Sequence, residues 1–175
     1  MNRQQNETIR TELKRFFCYL AVTASVILFL IVFAVQRADV YGASMEPALK
    51  DGDILLVDKL SYRFKKPERY DVIVFSYRYQ KGRYYTKRII GLPGETVQIK
   101  DGAVWVNGKR LTDDVSAEPI EKAGRAKEAI TLGEDEYFVL GDNRNNSSDS
   151  RDTDVGNIKE DDIIGRIWLK VWPIG

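Results

Sequence analysis

The 175 residues include no histidine, which excludes the imidazole base of a Ser-His-Asp triad, haem ligation through imidazole and every zinc site built on it. Proton transfer must fall to other side chains. A single cysteine, Cys18, cannot make a disulfide framework or a multi-cysteine zinc or iron–sulfur site. No surplus of charge exists either, since 27 Lys and Arg stand against 26 Asp and Glu. Four of those bases and two of those acids lie in residues 1–35, leaving 23 against 24 and no basic footprint for nucleic acid. Neither nucleic acid, metal nor cofactor is expected. With 43% apolar and 30% charged residues, the composition fits one folded domain.

What is present first is one long apolar run. From Phe16 to Val35, FFCYLAVTASVILFLIVFAV holds 20 residues without a charge, and as a helix rising ~1.5 Å per residue it spans ~30 Å of hydrocarbon. Arg3, Arg10, Lys14 and Arg15 precede the run and only Arg37 closely follows it, which predicts a cytoplasmic N-terminus. The expected organisation is a cytoplasmic segment 1–15, a transmembrane anchor 16–35 and an extracytoplasmic body 36–175. A cleaved signal peptide is the competing reading, because Val32-Phe33-Ala34 offers a small-residue cleavage site. Against it, the run exceeds the roughly 7–15-residue core of such peptides.

The body then changes to short apolar runs broken by turn chemistry. Ile54–Val57, Val72–Phe75, Tyr84–Ile90, Thr96–Ile99, Val104–Val106, Tyr137–Leu140 and Ile163–Trp172 read as strands. Asp101-Gly102 and Asn107-Gly108 tolerate the positive φ of hairpin turns and bracket one of these runs. Thr112–Lys127 lacks an apolar stripe and reads as a surface excursion with room for a short helix. On the last run, Trp168 and Trp172 share a face and read as core packing, with the membrane interface as the alternative setting for amphipathic tryptophans. The fold expected is mainly β.

Without histidine, a hydrolase can activate a serine with a lysine, a solution found on unrelated folds. Ser44 lies in Gly42-Ala43-Ser44-Met45-Glu46-Pro47, where glycine allows close backbone approach and proline stiffens the turn. Taken alone, such a serine is an ordinary turn residue. A lysine serves as base only when its pKa falls from ~10.4, and burial is one cause. In Tyr84-Tyr85-Thr86-Lys87-Arg88-Ile89-Ile90, alternation puts Lys87 with Tyr85 and Ile89 and sends Arg88 to the other face. Lys59 follows Leu55 and Val57 in a comparable way, and an edge-strand gatekeeper is a third role for such a lysine, so periodicity does not choose. The polar stretch Gly141–Arg151 fails as a calcium loop, because counting from Asp142 puts Arg144 third, Ser147 sixth and Thr153 twelfth.

Together these segments resemble the type I bacterial signal peptidases. Ser44-Met45-Glu46-Pro47 is similar to their nucleophile box, and Gly52-Asp53 through Val57 and Lys59 to the strand that follows. Tyr85-Thr86-Lys87-Arg88-Ile89-Ile90-Gly91-Leu92-Pro93-Gly94 is similar to the base box. Gly141-Asp142-Asn143-Arg144 with Ser147, Asp149, Ser150 and Arg151 is similar to the last box. The resemblance implies an antiparallel two-sheet catalytic domain, with Ser44 as nucleophile and Lys87 as general base. It further implies that Ser147 hydrogen-bonds the Lys87 amine and that Arg88 pairs with Asp142 and Asp149 with Arg151. Signal peptides would be removed from secretory preproteins after small residues through an acyl-enzyme. Val40, Tyr41 and Tyr85 are the substrate-pocket candidates, and membrane lipid and the export translocon are expected neighbours. Three positions depart from the pattern: Gly42 replaces a hydroxyl that in some members helps bind the oxyanion, Ala48 replaces threonine and Glu95 replaces aspartate. A membrane-anchored binding module without enzymatic activity is the alternative reading. The self-cleaving repressors share the Ser-Lys chemistry but carry a DNA-binding helix pair where this chain has its apolar run.

Overall fold

Residues 3–80, 82–115 and 118–172 are described by the computed structural model, without the side chains of residues 3–8, 30–32 and 172. Two units result. In Met1–Gln36 the chain forms one helix, α1 (Arg3–Ala34), polar through Arg15 and apolar beyond it. The anchor expected at residues 16–35 falls largely within α1. Among the described residues no helix is long and apolar enough to cross a membrane, residues 30–32 of that run having no described side chains.

In Arg37–Gly175 the regular structure is strand with four short 3₁₀ turns among the described residues. In chain order the strands are β1 (Val35–Asp39), β2 (Ile54–Asp58), β3 (Val72–Ser76), β4 (Tyr84–Gly91), β5 (Thr96–Lys100), β6 (Ala103–Val106), β7 (Lys109–Arg110), β8 (Ile130–Thr131), β9 (Glu136–Leu140), β10 (Ile158–Lys159) and β11 (Ile163–Trp172). They form a seven-stranded sheet, β1-β2-β11-β3-β4-β9-β10, and a four-stranded sheet, β7-β6-β5-β8. The recorded pairings of β2 through β11 are antiparallel, as expected. Asp101-Gly102 and Asn107-Gly108 have positive φ at all four residues, as two-residue hairpin turns require.

The centre of the large sheet is apolar on both faces. From β4, Ile90 enters a cluster with Val97, Ile99, Val104 and Val106 of the small sheet, while Ile89 enters one with Ile73, Phe75 and Val155. Strand β9 divides the same way, with Phe138 and Leu140 against Tyr137 and Val139. Burial on both sides accounts for the unbroken apolar run.

Two expectations need correction. The segment Thr112–Lys127 is more than a surface excursion, because Ile120 and Ala126 are buried in the cluster between the sheets; a 3₁₀ turn covers Gly124–Lys127. Trp168 is 63% exposed, against its reading as core. The β11–β2 register shifts between Ile167 and Leu169, so alternation fails at the tryptophan. Trp172's side chain and Pro173 lie outside the described residues.

Phe138 has no exposed surface, and Phe138→Ala is expected to lower unfolding free energy by about 3–5 kcal/mol. Trp168→Ala should change it by less than about 0.5 kcal/mol. Urea titration of the detergent-solubilised chain, followed by tyrosine and tryptophan fluorescence, measures both.

Candidate active site

Lys87 sits in β4 opposite Ile73 of β3, with Tyr85 opposite Phe75 two residues away. That apolar face leaves the lysine 4% exposed. Loss of water pushes its pKa down from 10.5 to about 8, with Asp149 and then Asp142 pulling the other way. The Nζ atom lies 2.8 Å from Ser44 Oγ and 3.0 Å from the Thr86 carbonyl oxygen. The structure thus brings Ser44 and Lys87 together from positions 43 residues apart. Lys59, the other lysine with suitable periodicity, is half-buried just beyond β2.

Ser44 projects from the loop between β1 and β2, and both ends of that loop are tied. Asp51 Oδ1 accepts the Gly42 N–H at 2.7 Å, while Asp53 Oδ2 accepts the Lys50 N–H at 2.8 Å and lies 2.8 Å from Lys170 Nζ of β11. Beneath it Val40, Met45, Leu49 and Leu55 pack together. From the last box, Asn143 donates its main-chain N–H to the Ser44 carbonyl and its side-chain amide to the Ala43 carbonyl, each at 3.1 Å. Asn143 and Asp51 were not singled out from the sequence. Asn143 works on backbone atoms about 100 residues away and Asp51 on the backbone of its own loop, and only the motif membership of Asn143 offered a signal.

On the opposite face of β4, Arg88 makes a two-pronged bond to Asp142 at 2.8 and 2.6 Å and donates to the Tyr70 carbonyl. Asp149 and Arg151 pair at 2.8 Å, and Asp149 also accepts the Gly141 N–H. Both expected pairs form. A third, Arg144 with Asp114, was not foreseen, because Asp114 lies in the segment read as a surface excursion.

Other expectations change. Ser147 does not hydrogen-bond Lys87: its Oγ is buried without a partner, and the amine turns to the Thr86 carbonyl instead. Ser147 does lie at the site, since a Cβ on Gly141 would collide with Ser147 Oγ and with the Ser44 carbonyl oxygen. Of the pocket candidates, Val40 is 5% exposed and committed to the cluster under the loop, so it offers no open wall. Tyr41 is 85% exposed, and Tyr85 is half-buried 5.5 Å below the Lys87 amine. Glu95 suits its place, with one oxygen 2.6 Å from Arg69 and the other accepting the Leu92 N–H.

A family model described as "Signal peptidase, peptidase S26" matches residues 13–172. The chain belongs to the signal peptidase family, peptidase S26. Among curated relatives of this signal peptidase, "Signal peptidase IB" of Staphylococcus aureus strain Mu50 is 34% identical over 183 residues, covering 94% of this chain and 92% of that protein. "Probable signal peptidase I-2" of Synechocystis sp. is 38% identical over 148 residues, 81% of this chain but only 65% of the relative's length. A solved signal peptidase I from Enterococcus faecalis V583 superposes with a TM-score of 0.49 at 36% identity, covering 58% of this chain and 97% of that one. Family membership makes the chain a hydrolase and disfavours the non-enzymatic binding module.

Gly42 of this signal peptidase is the residue that departs most in kind from the sequence pattern, and its geometry explains why. Its φ is +79°, in the left-handed region, and its N–H is already engaged by Asp51. Neither its backbone N–H nor an added hydroxyl is free to serve an oxyanion without strain. Gly42→Ser is therefore expected to lower kcat by roughly tenfold, through a strain of about 1–3 kcal/mol at the nucleophile loop. Steady-state cleavage of a model preprotein, with circular dichroism as a folding control, checks this.

Proposed function

We propose that the chain removes signal peptides from exported preproteins, with Ser44 as the attacking nucleophile and Lys87 as the base. The observation that carries the reading is an amine stripped of water and held 2.8 Å from a serine hydroxyl. With a pKa of about 8, roughly a tenth of the amine is neutral at pH 7, far more than for a lysine in water. Ser44 Oγ attacks the scissile carbonyl carbon while its proton passes to Lys87 Nζ. Lys87 returns that proton to the departing amine nitrogen, leaving an acyl ester on Ser44. A water then loses its proton to Lys87 and attacks the ester carbonyl; the bond to Ser44 Oγ breaks, Lys87 gives its proton to that oxygen, and the second product leaves as an acid.

The Ser44 main-chain N–H is the proposed oxyanion donor from this loop, because the Gly42 N–H is engaged by Asp51. Gly141 supports the arrangement by letting Ser147 and the Ser44 carbonyl approach its Cα. Ser147 is proposed to turn its buried hydroxyl to the lysine when substrate arrives. Pairing on the β9 side of β4 is recorded from Arg88 onward, while β3 covers the other side from Tyr84. The stretch Tyr84–Lys87 is therefore proposed to add an extended substrate by main-chain bonds, with Tyr85 and Tyr41 flanking small side chains near the bond. The 20 uncharged residues 16–35 and the bases before them support a single membrane pass with the catalytic unit outside the cytoplasm. Lipid and the translocon are the proposed neighbours there.

Ser44→Ala and Lys87→Met should each cut kcat for a model preprotein by roughly 10³-fold or more without loss of β-sheet signal. Activity in either variant within tenfold of the unmodified chain would remove that residue from the mechanism. Because the neutral amine is the working form, kcat/KM should rise about tenfold per pH unit on the acid side and level off above about 8. A profile already flat at pH 6 would contradict a lysine base.

A further inference from the structure

Alternation along β4 puts Arg83, just before the strand, in the same row as Tyr85 and Lys87. The side chains there form a stack. Tyr77 and Tyr85 stack with their planes at 24° and centroids 4.9 Å apart, and Phe75 meets Tyr85 edge-on at 6.1 Å. The Arg83 guanidinium carbon is 5.3 Å from the Tyr85 ring centre and 5.9 Å from that of Tyr77. Its recorded side-chain hydrogen bond goes to Gln80 Oε1 at 3.2 Å. Among the described residues no carboxylate pairs with it, and residues 76–86 contain no Asp or Glu. Arg83 is exposed. A guanidinium held against aromatic rings is weakly hydrated and preorganised, and its N–H edge suits a carboxylate in two-pronged fashion.

We propose that Arg83, seated on Tyr77 and Tyr85, is a specificity-determining residue that receives an acidic side chain of the substrate four positions from the residue flanking the scissile bond. The spacing follows from strand geometry: Arg83 is four residues from Lys87, ~13 Å at ~3.3 Å per residue, and an extended peptide beside β4 advances by the same rise. A displacement of four positions also returns to the face presented at the bond. The inference rests on the proposed reading of Ser44 and Lys87 as the cleaving pair.

The test uses the detergent-solubilised full chain and two series of signal-peptide-derived substrates. One varies the fifth residue before the bond and the other the fifth after it, four positions from the flanking residue in each case, each as Glu, Gln or Lys. In one series, at low salt, kcat/KM for Glu should exceed that for Gln by about two- to five-fold, the range of an exposed ion pair, with Lys below Gln. That preference should vanish at ~1 M salt, where screening acts within ~3 Å. Arg83→Gln should bring the Glu-to-Gln ratio to one, and Arg83→Glu should reverse the order in favour of Lys. A ratio near one in both series, or a preference that survives Arg83→Gln, overturns the proposal. Cleavage of the Gln substrates, with Ser44→Ala beside it, reads the underlying mechanism separately. Equal rates with and without Ser44 would overturn that mechanism and this inference together.

Discussion

An amine in water keeps its proton at neutral pH, so a lysine can accept one only where the surrounding fold has removed the water. That constraint governs much of the arrangement around Lys87. Ile73, Phe75 and Ile89 supply the dry face, and this part of the large sheet is covered on both sides as a result. The neighbouring cation, Arg88, is kept to the opposite face, where Asp142 neutralises it. Had strand alternation put both cations on one side, repulsion would have added to the burial cost.

The acids and bases around the site have a different task, which is to hold backbone. Asp149 joins Arg151 to the Gly141 N–H, Arg144 joins Asp114 to the Gly141 carbonyl, and Asp53 joins Lys170 to the Lys50 N–H. Each buried carboxylate or guanidinium ties one element to another. Replacing a single partner would leave an uncompensated buried charge, a more serious defect than losing a surface pair. Polar density in the last box is thus a network of supports converging on Gly141 and Asn143, which in turn touch the nucleophile loop.

Much of this was legible in the sequence because it depends on local period. The runs at 54–57, 72–75, 84–90 and 137–140 each became a strand, since apolar residues bounded by turn formers have few other ways to be buried. Lys87's face followed from counting by two. Strands of two residues, such as β8 and β10, have no period to read, and their pairing is set by partners far along the chain. Trp168 departs from its reading because a register shift cancels alternation locally, and Ile120 because scattered apolar residues in a polar stretch show no period. Positive φ at Gly42 and the unpartnered Ser147 hydroxyl are tertiary facts: the first depends on Asp51 and the second on how closely Gly141 approaches. Ser44 and Lys87 are neighbours only through the folded sheet, and motif resemblance linked them where periodicity could not.

Strand β11, the latest of the strands in the sequence, is inserted between β2 and β3. On one side of it lies the strand that follows Ser44, and on the other the hairpin that bears Lys87. Lys170 of β11 also reaches Asp53 at the foot of the nucleophile loop. Synthesis proceeds from the N-terminus at roughly 5–20 residues per second, and folding waits for the partners it needs. A ribosome-bound chain that has not reached Ile163 has the β3–β4 hairpin with Lys87 but lacks the strand that joins it to β2, which follows the Ser44 loop. Closure of the sheet that carries both residues is therefore a late event along the chain, since the strand between them comes after the other ten described strands.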